Sequence, residues 1–426
     1  MNRCKFHPRA PRQALAAAAL ALGLGAPGGL AWAQQAEQAG AHPAHHAQPA
    51  QPAASAADAA APAEPPWRFD FGVRMQVDRD SFDGIYSDDG EDVAVTYLRR
   101  LRLEFEARAF EVWRFKLDIA PDEEDVAILD SAVVSYHGFD ALVFSAGRFK
   151  PDFGLEHATS SKWVTGIERS AVWDLAPDAV EREGSWGLEL RHAGAHHHAS
   201  VGWFNKPDGR AQVLRAVYAP LLQPGRVLHL GAAFSREDID TSNGRIRTRL
   251  AVRGVSETDE GHRVTLADKL KNGFDSDHAG VLEFAFVHGP FSLQAEALQR
   301  KLGGAGGQSD RTARGQYLQL AWTLTGEARP YDIEGAKFKE LRPTGKYGAW
   351  EVFYRHDRLE VNGGPDLLDD GASQTRARVD VLGLNWYASR RLKLSLNQLW
   401  AHTDGPVNDA GDDRGRALSL RLQVLF

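Results

Sequence analysis

From residue 67 to the last residue, apolar and polar residues alternate at a period of two, in segments of about ten residues. Trp67, Phe69, Phe71, Val73, Met75 and Val77 alternate with Arg68, Asp70, Gly72, Arg74, Gln76 and Asp78. Leu101, Leu103 and Phe105 alternate with Arg100, Arg102 and Glu104, and Trp113, Phe115 and Leu117 with Arg114, Lys116 and Asp118. Successive side chains of a strand point to opposite faces, so each segment has one greasy face and one charged face. A soluble sandwich favours shorter strands and an outer face less rich in arginine. A charged face backed by a continuous apolar face suits a barrel with lipid outside and water inside. The pattern predicts an all-β fold, a transmembrane antiparallel β-barrel.

The segments lie near 67–78, 93–107, 112–120, 127–136, 141–149, 184–192, 197–205, 211–219, 226–236, 279–288, 291–301, 314–325, 348–360, 375–388, 391–401 and 415–426. That is about sixteen strands, an even number that leaves both termini on the periplasmic side. Connections after even-numbered strands are then short periplasmic turns, as at Gly289-Pro290 and Ser389-Arg390. The stretch 326–347 breaks this rule, and the pattern gives no reason for its length. Two connections on the extracellular side are very long, at roughly 150–183 and 237–278. Long loops of this kind are usually functional, and both are expected to fold inward and narrow the lumen. The sequence ends on an aromatic, Phe426, which resembles the assembly signal of bacterial outer-membrane barrels.

Residues 1–33 read as a signal peptide: Arg3, Lys5, Arg9 and Arg12, an apolar run from Ala14 to Leu24, then Ala31-Trp32-Ala33. The single cysteine, Cys4, falls inside it, so cysteine chemistry is not expected in the mature chain. Residues 34–66 are Ala, Pro, Gln and His with almost nothing to bury, and read as a disordered periplasmic linker. Residues 67–426 form the barrel domain. These readings place the protein in the outer membrane of a Gram-negative bacterium.

The whole chain carries −7. Four signal-peptide cations and three linker acids (Glu37, Asp58, Glu64) set aside, the barrel carries −8. That excludes a generally basic nucleic-acid binder but says nothing about a focused field inside a lumen. No nucleophile-and-base spacing supports an enzyme. The tract His196–His198 opens a strand, where alternate residues diverge, so it reads as a periplasmic turn rather than a metal site. The acidic stretch Asp78–Asp92 puts Arg79 where a calcium loop needs its first ligand. Neither a metal nor a cofactor is expected.

The cations are more informative. Arg74, Arg100, Arg102, Arg114 and Lys116 fall on the polar faces of the first three strands. The long loops add Lys150, Lys162, Arg169, Arg247, Arg249 and Arg253. Guanidiniums along a lumen offer fork-shaped donors suited to phosphate oxygens. Two readings are open: a path for anions, or pairing with lumen acids such as Glu104, Glu106 and Asp118 that only stabilises the wall. Arg99 breaks the alternation beside Arg100 and needs a bulge or a subunit interface.

Gly147-Arg148-Phe149-Lys150-Pro151-Asp152-Phe153-Gly154-Leu155, then Thr159-Ser160-Ser161-Lys162 and Ile167-Glu168-Arg169, resembles the third-loop region of the phosphate-selective porin O/P family. Thr325-Gly326-Glu327, Arg329-Pro330-Tyr331, Gly348-Ala349-Trp350-Glu351 and Gly383-Leu384-Asn385-Trp386-Tyr387 are similar to its later blocks. The resemblance covers essentially all of the chain from residue 67. It implies a homotrimeric anion channel whose arginine ladder leads to a constriction of arginines and a lysine, taking inorganic phosphate or other small anions. By order and local pattern it assigns Arg74 as the first-strand arginine, Arg99 and Arg100 as the paired arginines, and Lys162 as the third-loop lysine. The sequence departs at Arg102, where the resemblance implies an aromatic, which leaves orthophosphate, polyphosphate and general anions as alternatives. A general diffusion porin and a structural barrel without phosphate selectivity are the rivals.

Overall fold

The computed structural model describes residues 66–426, apart from 121–127, 178–179, 181–184, 207–208, 255–262, 271–272, 364–373, 406 and 408–409. The proposed signal peptide and the linker, up to residue 65, lie outside the described residues. Sixteen antiparallel strands close into a barrel. They are β1 (Trp67–Phe82), β2 (Val93–Ala109), β3 (Trp113–Ala120), β4 (Ile128–Phe139), β5 (Leu142–Phe149), β6 (Ser185–Ala193), β7 (His197–Lys206) and β8 (Gly209–Gln223). The circuit continues with β9 (Arg226–Ser242), β10 (Phe274–His288), β11 (Phe291–Gly304), β12 (Arg311–Thr323), β13 (Ala349–Asn362), β14 (Gln374–Tyr387), β15 (Leu392–Thr403) and β16 (Arg414–Leu425). Each strand pairs with its sequence neighbour, and β16 returns to β1 from Arg74↔Leu425 to Phe82↔Ala417. Closure leaves no sheet edge, which a hydrocarbon environment demands. Phe426 sits at that seam, its N–H donating to the Val73 carbonyl at 2.9 Å.

The alternation is realised as read. Phe69, Phe71, Phe105, Phe115, Leu282, Phe284, Leu318 and Leu320 are exposed on the outside. Tryptophans and phenylalanines ring the periplasmic end, with Phe291 stacked on Trp322 at 5.7 Å and Trp350 on Trp386 at 5.5 Å. Among the described residues no helix is long and apolar enough to cross a membrane.

The lumen differs from the expected wet ring. Its face is charged along β1–β6, but apolar in the extracellular half of β10–β15, where Ala279, Val281, Leu298, Ala313, Leu359, Val379 and Leu399 are buried. The connection between β5 and β6, here called loop 3, explains this. Its Phe153, Val172, Trp173 and Leu175 pack against that wall in one cluster. Gly315 of β12 leaves the room: an added Cβ would come within 2.8 Å of Val172. The connection between β9 and β10, loop 5, runs from 243 to 273 and is shorter than expected because both flanking strands extend into it. It adds a ribbon, Ile246–Thr248 with Val264–Ala267, whose Ile246, Val264 and Leu266 join the same cluster.

The long periplasmic stretch 326–347 also has a reason. It folds a small ribbon, Tyr331–Asp332 with Lys337–Phe338, and packs Phe338 with Leu155 of loop 3 and Val227, Ala285 and Val287 of the wall. A second inward segment thus meets loop 3 from the periplasmic side.

Candidate functional site

Loop 3 lies across the lumen, so its backbone polar groups need partners from the wall. Glu296 accepts from the N–H groups of Leu155 (2.6 Å) and Glu156 (3.0 Å). Asp357 accepts from Ala171 N–H at 2.9 Å. Arg355 donates to the carbonyls of Glu168 (3.1 Å) and Arg169 (3.3 Å), and Lys393 to Val164 (3.2 Å). Asp174 of loop 3 holds loop 5 through the Thr248 hydroxyl and the Arg249 N–H, both at 2.8 Å. At its base a buried ionic knot ties three elements. Arg215 bonds Asp152 at 2.7 Å, Glu283 at 2.7 Å and the Ala336 carbonyl of the periplasmic insertion at 2.8 Å. His198 stands 2.7 Å from Asp152 and 2.9 Å from the Glu334 carbonyl. It is therefore a buried lumen residue of β7, and the turn reading of the histidine tract fails for it.

Loop 3 is pressed to the β10–β15 side, leaving a cavity of about 530 Å³ along β1–β6. Arg74, Arg100, Arg102, Lys150, Ser160, Ser161, Lys162 and Arg169 line it, and Arg114, Lys116, Arg191 and Lys337 continue it toward the periplasm. Arg99 is the extra residue of a bulge, since the β1–β2 register shifts between Gln76↔Arg100 and Val77↔Leu98. The bulge turns two consecutive side chains the same way. Arg99 meets Glu168 at 2.8 Å and Arg100 meets Gln76 at 3.0 Å, while Leu98 and Leu101 keep the apolar face. Of the two explanations open for Arg99, the bulge is the one observed.

The cations divide by partner. Glu104 takes both Arg74 (2.9 Å) and Lys162 (2.7 Å). Asp130 takes Arg102 at 2.5 Å, Asp118 takes Lys116 at 2.8 Å, and Glu334 stands 4.0 Å from Arg114. Arg100, Lys150 and Arg169 have no ion pair among the described residues; Arg169 donates instead to the carbonyls of Glu156, His157 and Thr159. The part of this cavity lined by Arg100, Lys150 and Arg169, here called the neck, gathers several cations in each other's field. Burial, then the charges of Arg169, Arg102 and Arg100, push the Lys150 amine down to about 8. Burial, then the charges of Arg169 and Lys150, hold His157 well below the usual imidazole range, so its ring is neutral. Burial would raise Glu168, but Arg99, Arg421 and Arg100 hold it well below the ordinary carboxylate range, so it stays anionic.

Above the neck, Arg249 and Arg253 of loop 5 lie within each other's field and that of Arg99. Burial and those neighbours lower Arg249 to about 10. Arg247 is half-buried on the loop 5 ribbon, opposite Thr265.

Sequence reasoning missed Asp130, Glu168, Arg421 and Arg355. Arg421 joins Asp78 and Glu168, each at 2.6 Å. It does sit on the polar face of the last strand, so the alternation carried the signal; its partners come from elements hundreds of residues away. Among the described residues no cluster of three or more His, Cys, Asp or Glu is placed to hold a metal.

The family model for phosphate-selective porins O and P matches residues 69–426. Porin O of Pseudomonas aeruginosa is 36% identical over 392 residues, covering 85% of this chain and 90% of that protein. An anion-selective porin from Comamonas acidovorans superposes with a TM-score of 0.54 at 12% identity, over 84% of this chain and 100% of the other. OprB of Pseudomonas putida does so at 0.53 and 13% identity, over 84% and 94%. These structural likenesses speak for the barrel alone; the sequence matches, with the inward loop 3, go further. The chain belongs to the phosphate-selective porin O and P family and is a porin of the Gram-negative outer membrane.

Proposed function

We propose that the barrel is a passive channel preferring anions, with inorganic phosphate or polyphosphate as its solute, working as a homotrimer and without catalysis. The observation that carries this is the set Arg100, Lys150 and Arg169 at the neck, three cations with no ion pair among the described residues. Fixed charges in a narrow, protein-walled passage act through little water and outweigh acids in open loops, which salt screens within about 8–10 Å. Cations above and below the neck give a moving anion a partner at each step. The neck also suits a phosphate in shape. Guanidinium forks donate to two oxygens at once, and the Ser161 hydroxyl, which accepts from Arg74 at 2.8 Å, keeps its own proton to donate.

The purified protein in a planar bilayer under a salt gradient is expected to give a reversal potential of anion-selective sign, despite the barrel's net −8. Phosphate added to chloride is expected to saturate the current, and Arg100→Ala with Arg169→Ala to shift the potential toward zero. A cation-selective channel would overturn the reading, and absence of conductance would favour a structural barrel.

A further inference from the structure

On the lipid side of the wall, away from the pore, small residues interrupt the large apolar ones. Ala232, Gly280 and Ala297 stand at outward positions of β9, β10 and β11 and floor a groove of about 580 Å³. Two further hollows, of about 330 Å³ and 410 Å³, extend the depression down the same face past Phe284 and Leu318 to Phe291 and Trp322. Such a channel is wide and greasy enough for an acyl chain.

Arg314 and Arg358 stand at the extracellular head of this groove, both exposed and outward. Arg358 faces Arg378 directly across the β13–β14 pair, and like charges so placed repel. Arg314 donates to Gln299 at 3.2 Å, and Arg358 has no hydrogen bond or ion pair among the described residues. Glu360 faces Arg314 directly across β12–β13 but spends its carboxylate on Arg376 at 3.3 Å and Asn362 at 2.9 Å. Asp380, within the field of Arg378, bonds Tyr354 at 2.5 Å and His356 at 2.8 Å, so Arg358 is the arginine of this face that no acid reaches among the described residues. Height agrees with charge. Trp322, Trp350 and Trp386 mark the periplasmic girdle, and Arg314, Arg358 and Arg378 lie eight residues above them on the same strands. Eight residues of tilted strand rise about 20 Å, close to the ~25 Å height of the apolar band. The arginines are thus level with the outer-leaflet head groups.

We propose that this wall binds one phosphorylated, multiply acylated glycolipid of the outer leaflet, with its phosphates on Arg314, Arg358 and Arg378 and one acyl chain lying in the groove. The anion relieves the facing arginines, and the chain fills the floor of small residues. The site owes nothing to the pore, because the barrel wall separates them.

The test is native mass spectrometry of the full chain in detergent with a bis-phosphorylated, acylated glucosamine disaccharide, its dephosphorylated counterpart, and inorganic phosphate as competitor. The phosphorylated lipid is expected to bind at least about tenfold more tightly than the dephosphorylated one. Arg314→Gln with Arg358→Gln is expected to remove most of that preference. Gly280→Leu is expected to weaken binding with the arginines intact; an added Cβ there meets only the Ala233 carbonyl, at 3.8 Å, so the barrel accepts it. Channel conductance is expected to be unchanged in both variants. Equal binding of the two lipids, indifference to the substitutions, or full displacement by inorganic phosphate would each overturn the proposal. So would cross-linking of a Gln299→Cys variant to a second copy, which would show another subunit covering the groove.

Discussion

Arg100 and Lys116 look alike as letters, each a cation on the polar face of an early strand, yet their surroundings give them unequal weight. Lys116 is neutralised by Asp118 at 2.8 Å, whereas Arg100 donates to the Gln76 amide oxygen and has no ion pair among the described residues. A charge-assisted hydrogen bond to an anion contributes about 1.5–3 kcal/mol. Arg100→Gln is therefore expected to weaken phosphate block of the chloride current by about tenfold or more, and Lys116→Gln by less than about twofold. Glu104→Gln should act in the opposite direction, because it frees Arg74 and Lys162 for the solute. Tighter phosphate block in that variant would establish that the lumen acids moderate the channel. Lys150 adds a pH dependence with a definite sign. An amine at about 8 is charged below that pH and neutral above it, while guanidiniums keep their charge. Phosphate block should weaken as pH rises from about 7 to about 9, and Lys150→Gln should flatten the profile. Which cations face the lumen was legible from alternation. Which of them are already paired was not, since Asp130 and Glu168 reach Arg102 and Arg99 only once the strands are in register.

Strands were legible because each reports its own environment, residue by residue, against lipid and lumen. All sixteen appear within a few residues of the positions read from period two. Loop 3 was legible as an inward loop from its length and its resemblance to the family's third loop, but what it docks on was not, and the stretch 326–347 gave no reason for its length. Their partners are spread around the whole circumference, and no local period encodes them. Arg355 shows how the docking is secured: it joins Glu156 and Asp357 and donates to two loop carbonyls. Removing one member of a buried ion pair costs about 3–5 kcal/mol. Arg355→Leu is expected to loosen loop 3, raising single-channel conductance and abolishing saturation by phosphate, with the barrel's β-rich circular dichroism intact. Unchanged conductance would mean that the apolar contacts of Phe153, Trp173 and Leu175 hold the loop unaided.

At the scale of the molecule, the acidic total and the cationic conduit coexist because most acids not spent on pairs face bulk water, while the neck is walled by protein. The purified chain should need detergent, show a β-rich spectrum and run as an oligomer until heated; a monomer under mild detergent would count against the trimer. The division of the lumen into a charged half and an apolar half has a further consequence, for biogenesis. Before the long loops dock, the nascent cylinder is hydrophobic on part of its inside as well as its outside, and that inner surface is a place where water or a stray segment can lodge. Docking of the loops then covers an apolar surface that barrel closure alone leaves open. Deleting loop 3 to widen the bore would leave not a larger channel but an unfinished one, an empty casing with a sticky lining and a propensity to misassemble.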